Sequence, residues 1–257
     1  MSNYATTSLP EPQIHQIFLE WGRNSPQPGK TGFAGASVFG MGAIRVAATV
    51  VVITLMAGDP QVLAVSESGR WELPSIAVET LHPSLASQLS IYLSRRTGLV
   101  PAALHHAATL EEGGGDRQLR IAFYGLLHSW YTNAEGAGWV DIYSLFPGAD
   151  ARSRASAPPE PLEFSTADRD LVARVLDQLR IDVLTRPVLA VLSPKTFTLS
   201  YLQELVESVQ GRSLHTQNFR RYIRDTGLVE PAGMLVNTGS GRPAELFSFP
   251  PPGPREG

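Results

Sequence analysis

Between Arg212 and Arg224 the chain reads RSLHTQNFRRYIR, with four arginines, one histidine and no acid. Arginine and glutamine pair bidentately with guanine and adenine edges, and arginine also binds phosphate. At ~100° per residue, Phe219, Tyr222 and Ile223 fall on one face of a helix, with Gln217, Arg221 and Arg224 opposite. Asn218 and Arg220 take the flanks, and Thr216 opens the helix. Such a helix can lie in the major groove of double-stranded DNA and read base edges. The alternative is a solvated basic helix in a protein-binding module.

A second stretch, LPSIAVETLHPSLASQLSIYLSRRTGLV (residues 73 to 100), has the frame of a metal-dependent pyrophosphatase motif but a single carboxylate, Glu79. Hydrolysis of a pyrophosphate needs several carboxylates as hard oxygen ligands for Mg²⁺. Elsewhere Arg120, next to Ile121 in an alternating run, can face a cleft or form a salt bridge. Trp71, Trp130 and Trp139 can stack a base or fill a core. His105 and His106 have no ligand partner at metal spacing.

The elements that would carry these residues follow from pattern. RVAATVVVITL from Arg45 is a β-branched run too short to span a bilayer, so it reads as a buried strand, and QVLAVSE (61 to 67) as a second. Pro83 suits the first position of a helix in which Leu85, Leu89 and Leu93 line up, closed by Gly98. Further strands are expected at 103 to 111, 117 to 130 and 138 to 143, with a GGGD turn at 113 to 116. Ser165 and Asp168 have capping-box spacing before a helix with Leu171, Val175 and Leu179. PVLAVLS (187 to 193) reads as a strand or joining segment.

Next come a helix over 197 to 211 with Ser200 as its N-cap and Gly211 as its stop, the basic helix closed by Gly227, and the strands LVEPAG and PAELFSF flanking a flexible MLVNTGSGR. Helix, short turn, helix and hairpin is the order of a winged helix-turn-helix. A short helix at 13 to 22 lies in an N-terminal extension, and 148 to 161 reads as a mobile loop.

Composition sets the outer bounds. The chain has 257 residues, 43% of them hydrophobic and 18% charged, with a formal net charge of −3, as expected of a globular protein. It has no cysteine, which removes disulfides, thiolate metal sites and cysteine nucleophiles. The N-terminus lacks a basic region followed by an apolar run, so a soluble cytoplasmic protein is expected, with no membrane partner.

The C-terminal segment resembles the NrtR family, the Nudix-related transcriptional regulators. The resemblance rests on Phe197-Thr198-Leu199, Leu202, Gly211, Asn218-Phe219-Arg220-Arg221, Gly227-Leu228 and Gly241-Arg242-Pro243-Ala244. It extends upstream to about Arg45 and leaves out the first forty residues and the loop at 148 to 161. Against the working Nudix motif, anchored on Thr97-Gly98-Leu99, the closing glutamates become Arg95 and Arg96 and the arginine–glutamate pair becomes Ile91 and Tyr92. The upstream glutamate becomes Pro83 and the opening glycine Ala77. The metal chemistry is therefore expected to be lost, with no catalytic residue, metal or cofactor. Arg95 and Arg96 have two readings: guanidinium groups that neutralise a bound pyrophosphate, or solvated arginines that suit the helix dipole.

The resemblance implies an α+β chain, with a Nudix-like α/β/α sandwich around a mixed sheet followed by a winged helix-turn-helix. The expected boundaries are an extension at 1–40, a sensing domain at 41–186, the winged helix at 187–250 and a tail at 251–257. It also implies a homodimeric repressor of NAD-metabolism genes that binds a palindromic operator and senses a nucleotide such as ADP-ribose. The expected DNA-contacting residues are Thr216, Gln217, Asn218, Arg220, Arg221, Arg224 and Arg242. The expected effector-binding residues are Arg95, Arg96, Arg120 and Trp71. Two rivals remain open: a residual hydrolase using Glu79, Glu111 or Glu112, and a regulator with another regulon and a non-nucleotide effector.

Overall fold

Residues 44–56, 58–67, 69–80, 82–112, 118–128, 134–146, 164–237 and 243–251 are described in a computed structural model of the chain. The expectations for the helix at 13 to 22, the turn at 113 to 116, the loop at 148 to 161, the tail beyond 251, and Trp130 and Arg242 lie outside those residues.

The β-branched run becomes β1, Arg45–Met56, and its central residues are buried on both faces. Around it lie β2 (Asp59–Glu67), β3 (Arg70–Glu72), β4 (Ser75–Ala77), β5 (His105–Glu112), β6 (Gln118–Leu126) and β7 (Ala137–Asp141). The main path of the sheet is β3-β2-β1-β6-β5, with β4 paired to β1 and β7 to β2. β1 and β6 run parallel from Arg45↔Gln118 to Ile53↔Leu126, while the other pairs are antiparallel. The sheet is therefore mixed, and a helix covers each face.

On one face lies α1, Leu85–Thr97. Its Leu89 and Leu93 form a buried cluster with Ala48, Val50, Val52, Leu63 and Leu99. Gly98 closes it at φ 71, a left-handed conformation that glycine adopts without a Cβ clash. Pro83 is not its first residue. Ser84 is the N-cap and accepts from the Ser87 backbone N–H, while Gln88 Nε2 donates to the carbonyls of Thr80 and Pro83 and holds the proline turn outside the helix.

On the other face lies α2, Thr166–Thr185. Its Leu171, Val172, Val175, Leu176, Leu179 and Val183 meet Val51, Ile53, Val62 and Ala64 in a second cluster. Ser165 caps it, accepting from the Asp168 N–H, but the Asp168 carboxylate completes no reciprocal box. It is drawn instead to Arg120 Nη1 at 2.6 Å.

Of the two readings of 187 to 193 the joining segment holds: a 3₁₀ turn over Pro187–Val191 leads to β8 (Phe197–Thr198), α3 (Leu199–Gln210), α4 (Thr216–Thr226), β9 (Glu230–Val236) and β10 (Ala244–Ser248). The last two strands form the hairpin of a wing, and β8 pairs with β10. The α3 cap is Thr198 rather than Ser200. Thr198 ends β8 with extended φ/ψ and accepts from the Tyr201 N–H, the geometry that an N-cap requires. β9 also runs on through Met234, Leu235 and Val236, expected to be flexible, because Leu235 and Val236 find partners in Glu245 and Ala244.

The core does not divide at residue 187. Leu202, Val206, Val209, Phe219 and Ile223 of the C-terminal helices belong to the same buried cluster as α2 and the sheet.

Candidate functional site

Two constellations stand out, one on α1 and one on α4. The six positions at which the sequence departs from the hydrolase motif, Ala77, Pro83, Ile91, Tyr92, Arg95 and Arg96, all line one cavity of about 590 Å³. Among the described residues, Ile76, Thr80 and Gln88 complete the lining, and no carboxylate is part of it.

The two neighbouring arginines separate in role. Arg96 donates from Nη1 to the Glu135 carbonyl at 2.9 Å and from Nη2 to the Ser66 and Gly136 carbonyls at 2.8 and 3.4 Å. It therefore clasps the end of α1 to the end of β2 and the segment entering β7. Gly136 makes room: its φ is +70, and a Cβ there would stand 3.0 Å from Arg96 Nη2. Arg95 is exposed and makes no hydrogen bond or ion pair among the described residues.

Arg120 and Trp71 do not join them. Arg120 pairs with Asp168 of α2, across the sheet from α1, and Trp71 packs against the α2-side cluster. Strand alternation assigns a residue to one face or the other, but does not say which face holds the cavity. Glu79 and Glu111 are exposed, and among the described residues no three His, Asp or Glu side chains stand together as a metal site.

The second constellation is built on the helix pair. Leu199, Leu202, Val206 and Val209 of α3 are buried, as are Phe219 and Ile223 of α4. The turn between the helices is pinned from inside. Gln203 Nε2 donates to the Leu214 carbonyl at 3.0 Å and to Glu207 Oε1 at 2.8 Å, and Glu207 Oε1 accepts from the Leu214 N–H. The same amide lies 3.4 Å from Thr216 Oγ1. Gln217, Asn218, Arg220, Arg221 and Arg224 are all exposed on α4, away from the Phe219/Ile223 face. Arg220 Nη2 donates to Ser200 Oγ of α3 at 3.1 Å, which fixes its direction.

Several side chains tie this pair to the sheet. Tyr143 donates to the carbonyls of Ser208 and Val209 at the end of α3, at 2.7 and 3.0 Å. Burial, ahead of any charge nearby, raises the pKa of that hydroxyl and keeps it a donor. A Cβ on Gly211 would meet the Tyr143 hydroxyl at 2.8 Å, so only glycine fits beneath it. Gln210 Nε2 donates to the Arg180 carbonyl, and Tyr222 of α4 donates to the Leu184 carbonyl at 3.1 Å.

Behind Leu184, the buried Asp182 carboxylate accepts from the Tyr124 hydroxyl, from Gln178 Nε2 and from Arg186 Nη1. His105 stacks on Tyr124 with ring centroids 5.0 Å apart. Sequence reasoning missed Gln203, Tyr143 and Asp182. The one available signal was a polar residue set within an apolar helical stripe, as Gln203 and Asp182 are.

Residues 190–249 match the family model of the NrtR DNA-binding winged helix domain. Over these residues the chain is similar to the NrtR winged helix. The match includes all of α3, α4, β9 and β10, and it bears out the resemblance drawn from 197 to 249.

Solved structures extend the likeness upstream of the winged helix. Shewanella oneidensis NrtR superposes with a TM-score of 0.61 at 19% identity, covering 80% of this chain and 94% of that one. The same protein complexed with a 27mer DNA gives 0.59 at 20% identity, covering 80% and 93%. A MutT/nudix family protein from Enterococcus faecalis gives 0.59 at 13% identity, covering 91% and 93%. At these identities the likeness establishes the fold, a Nudix-like α/β/α unit with a winged helix following it. No curated protein matches the chain. Among the described residues, no helix is long and apolar enough to cross a membrane.

Proposed function

We propose that the chain is a DNA-binding transcriptional regulator, a repressor, whose Nudix-like part (41–186) senses a nucleotide without hydrolysing it and whose winged helix (187–250) reads an operator. One observation carries this reading. α4 sits in an NrtR winged helix with Phe219 and Ile223 buried, and presents Gln217, Asn218, Arg221 and Arg224 to solvent. Gln217, Asn218 and Arg221, near the start of a helix that follows a short turn, are side chain types that contact base edges in the major groove, while Arg224 in the last turn is placed for phosphate. Arg220, held by Ser200, is placed for the phosphate backbone. Shewanella oneidensis NrtR has been crystallised with a 27mer DNA, which supports the same role here.

The homodimer on a palindromic operator is what the resemblance implies; in such a dimer the two reading helices meet half-sites one helical turn, or a multiple of it, apart. The resemblance supplies the regulon, NAD metabolism, and ADP-ribose as the effector. Loss of hydrolysis follows from the cavity lining: without a carboxylate at positions 83, 92, 95 and 96, Mg²⁺ has no hard anionic ligand there. A regulator of this kind works in the cytoplasm.

The test is a gel shift on DNA upstream of the chain's own gene, with and without ADP-ribose, alongside a turnover assay of ADP-ribose with Mg²⁺ and Mn²⁺. A sequence-selective shift that ADP-ribose alters, with no turnover, is expected. Absence of any selective shift, or turnover that scales with protein and is lost on mutating the cavity, refutes the reading.

A further inference from the structure

The cavity on α1 differs from a pyrophosphate site in its charge. A diphosphate brings two anionic groups, which hydrolases of this frame meet with metal ions held by glutamates. Among the described residues no carboxylate lines this cavity, and of its two described arginines Arg96 is committed to three backbone carbonyls. The Gln88 amide nitrogen is similarly committed to Thr80 and Pro83. Arg95 is left as the lining cation whose guanidinium makes no hydrogen bond among the described residues. Beside it Ile91 is a large apolar side chain at 46% exposure, and Ile76 and Pro83 continue the apolar wall. An exposed isoleucine inside a concavity gains by covering an apolar surface, and an unpaired guanidinium gains by meeting one phosphate in a bidentate contact.

We propose that this cavity takes a metal-free ligand with one recognised anionic group, a phosphoryl held on Arg95, whose flat organic part lies against Ile76, Pro83 and Ile91. The proposal rests on reading the cavity as a nucleotide sensor and specifies its selectivity. The first phosphate is recognised, the second finds no free cation among the described lining residues, and Mg²⁺ adds nothing. Arg96 is a positioning residue that holds α1 against the β2 and β7 ends and so keeps the wall in place.

Isothermal titration of the full chain with adenosine, AMP and ADP, each in EDTA and in excess Mg²⁺, tests this. AMP is expected to bind about tenfold or more tightly than adenosine, ADP to lie within about tenfold of AMP, and Mg²⁺ to leave both unchanged. Arg95→Ala should weaken AMP about tenfold to a hundredfold without shifting the melting temperature, and Arg95→Lys should recover part of the loss. Arg96→Ala should lower the melting temperature instead. Binding that requires Mg²⁺, ADP favoured over AMP by about a hundredfold, or AMP affinity indifferent to Arg95→Ala overturns the proposal and leaves the sensor reading standing. Failure of all three probes to bind overturns the proposal, while the gel shift with and without ADP-ribose decides separately whether the sensor reading and the DNA-reading role survive.

Discussion

Asp182→Ala tests whether the link between sheet and reading helix is held as described. The carboxylate is 5% exposed, while its partner Arg186 is 51% exposed. It accepts from Gln178 Nε2 at 3.0 Å, from Arg186 Nη1 at 3.3 Å and from the hydroxyl of Tyr124, a fully buried residue. Removing it leaves that hydroxyl without an acceptor in the core, which costs about 1–3 kcal/mol. Arg186 recovers water, so its lost ion pair adds only ~0–1 kcal/mol. The sum, roughly 1–4 kcal/mol, lies mostly below the ~3–5 kcal/mol for breaking a fully buried pair, because one partner already reaches solvent. At ~2–4 °C per kcal/mol for a unit of this size, the melting temperature should fall by roughly 2–16 °C.

Asp182→Asn keeps an acceptor for Tyr124 and should fall less. Urea and thermal unfolding followed by circular dichroism measure both variants. Leu184, whose carbonyl receives the Tyr222 hydroxyl of α4, lies in the same last turn of α2, so DNA affinity should change with the stability. An Asp182→Ala protein within about 0.5 kcal/mol of the parent would show that this carboxylate does not hold the joint.

On α4 itself, Arg221→Ala should cost ~1–3 kcal/mol of operator binding and relax specificity at one or two positions, read by competition gel shifts. Arg220→Ala or Arg224→Ala should weaken all sequences alike and reduce the salt slope by about 1 per lost phosphate contact. Equal operator and random-DNA affinity in parent and Arg221→Ala would remove α4 as the reader. Phe219→Ala, which empties a core position between the helices, should lower stability by ~3–5 kcal/mol in urea titration, whatever the DNA.

His105 gives a pH dependence. Burial first and Arg186 second lower its pKa in the fold, against the opposing Asp182 charge. The unfolded chain then takes up a proton that the folded chain refuses, so this residue's contribution to stability falls as pH drops below about 6.5, the ordinary histidine value. His105→Phe should flatten that part of the pH–stability profile, and an unchanged slope would refute the assignment.

What the sequence makes legible is what short-range physics decides. Gly98, Gly211 and Gly227 each end a helix in the left-handed conformation, and the β-branched run from Arg45 becomes the central strand. The apolar face of α4, Phe219 and Ile223, is where helical spacing puts it. Choices between two local solutions were less legible. Thr198 and Ser200 are both good caps, and the pairing of Thr198 with Leu246 in the wing sheet decides for Thr198. Asp168 could have closed a capping box, but Arg120 on another element is a stronger partner than a backbone N–H. Least legible was the split between Arg95 and Arg96. Adjacent helical residues point ~100° apart, and which of them meets three carbonyls depends on where the segment 134 to 136 returns to the sheet.

The same geometry constrains how a ligand could govern DNA. The cavity belongs to α1 and β4, on the face of the sheet held by the cluster of Leu89 and Leu93, and no described residue of the winged helix lines it. The winged helix belongs to the opposite cluster, with α2. β1 and β2 supply both, Val50, Val52 and Leu63 to the first, Val51, Ile53, Val62 and Ala64 to the second. A ligand on Arg95 therefore cannot bias α4 by touching it. Within one chain the bias must cross the strands whose alternate residues pack both clusters, then pass along α2 to Leu184 and Tyr222, or through Tyr143 to the end of α3. Close-packed strands transmit a shift as a rigid displacement rather than absorbing it. Such a ligand acts by favouring one of two placements of the whole helix pair, and only to the extent that it binds those placements unequally.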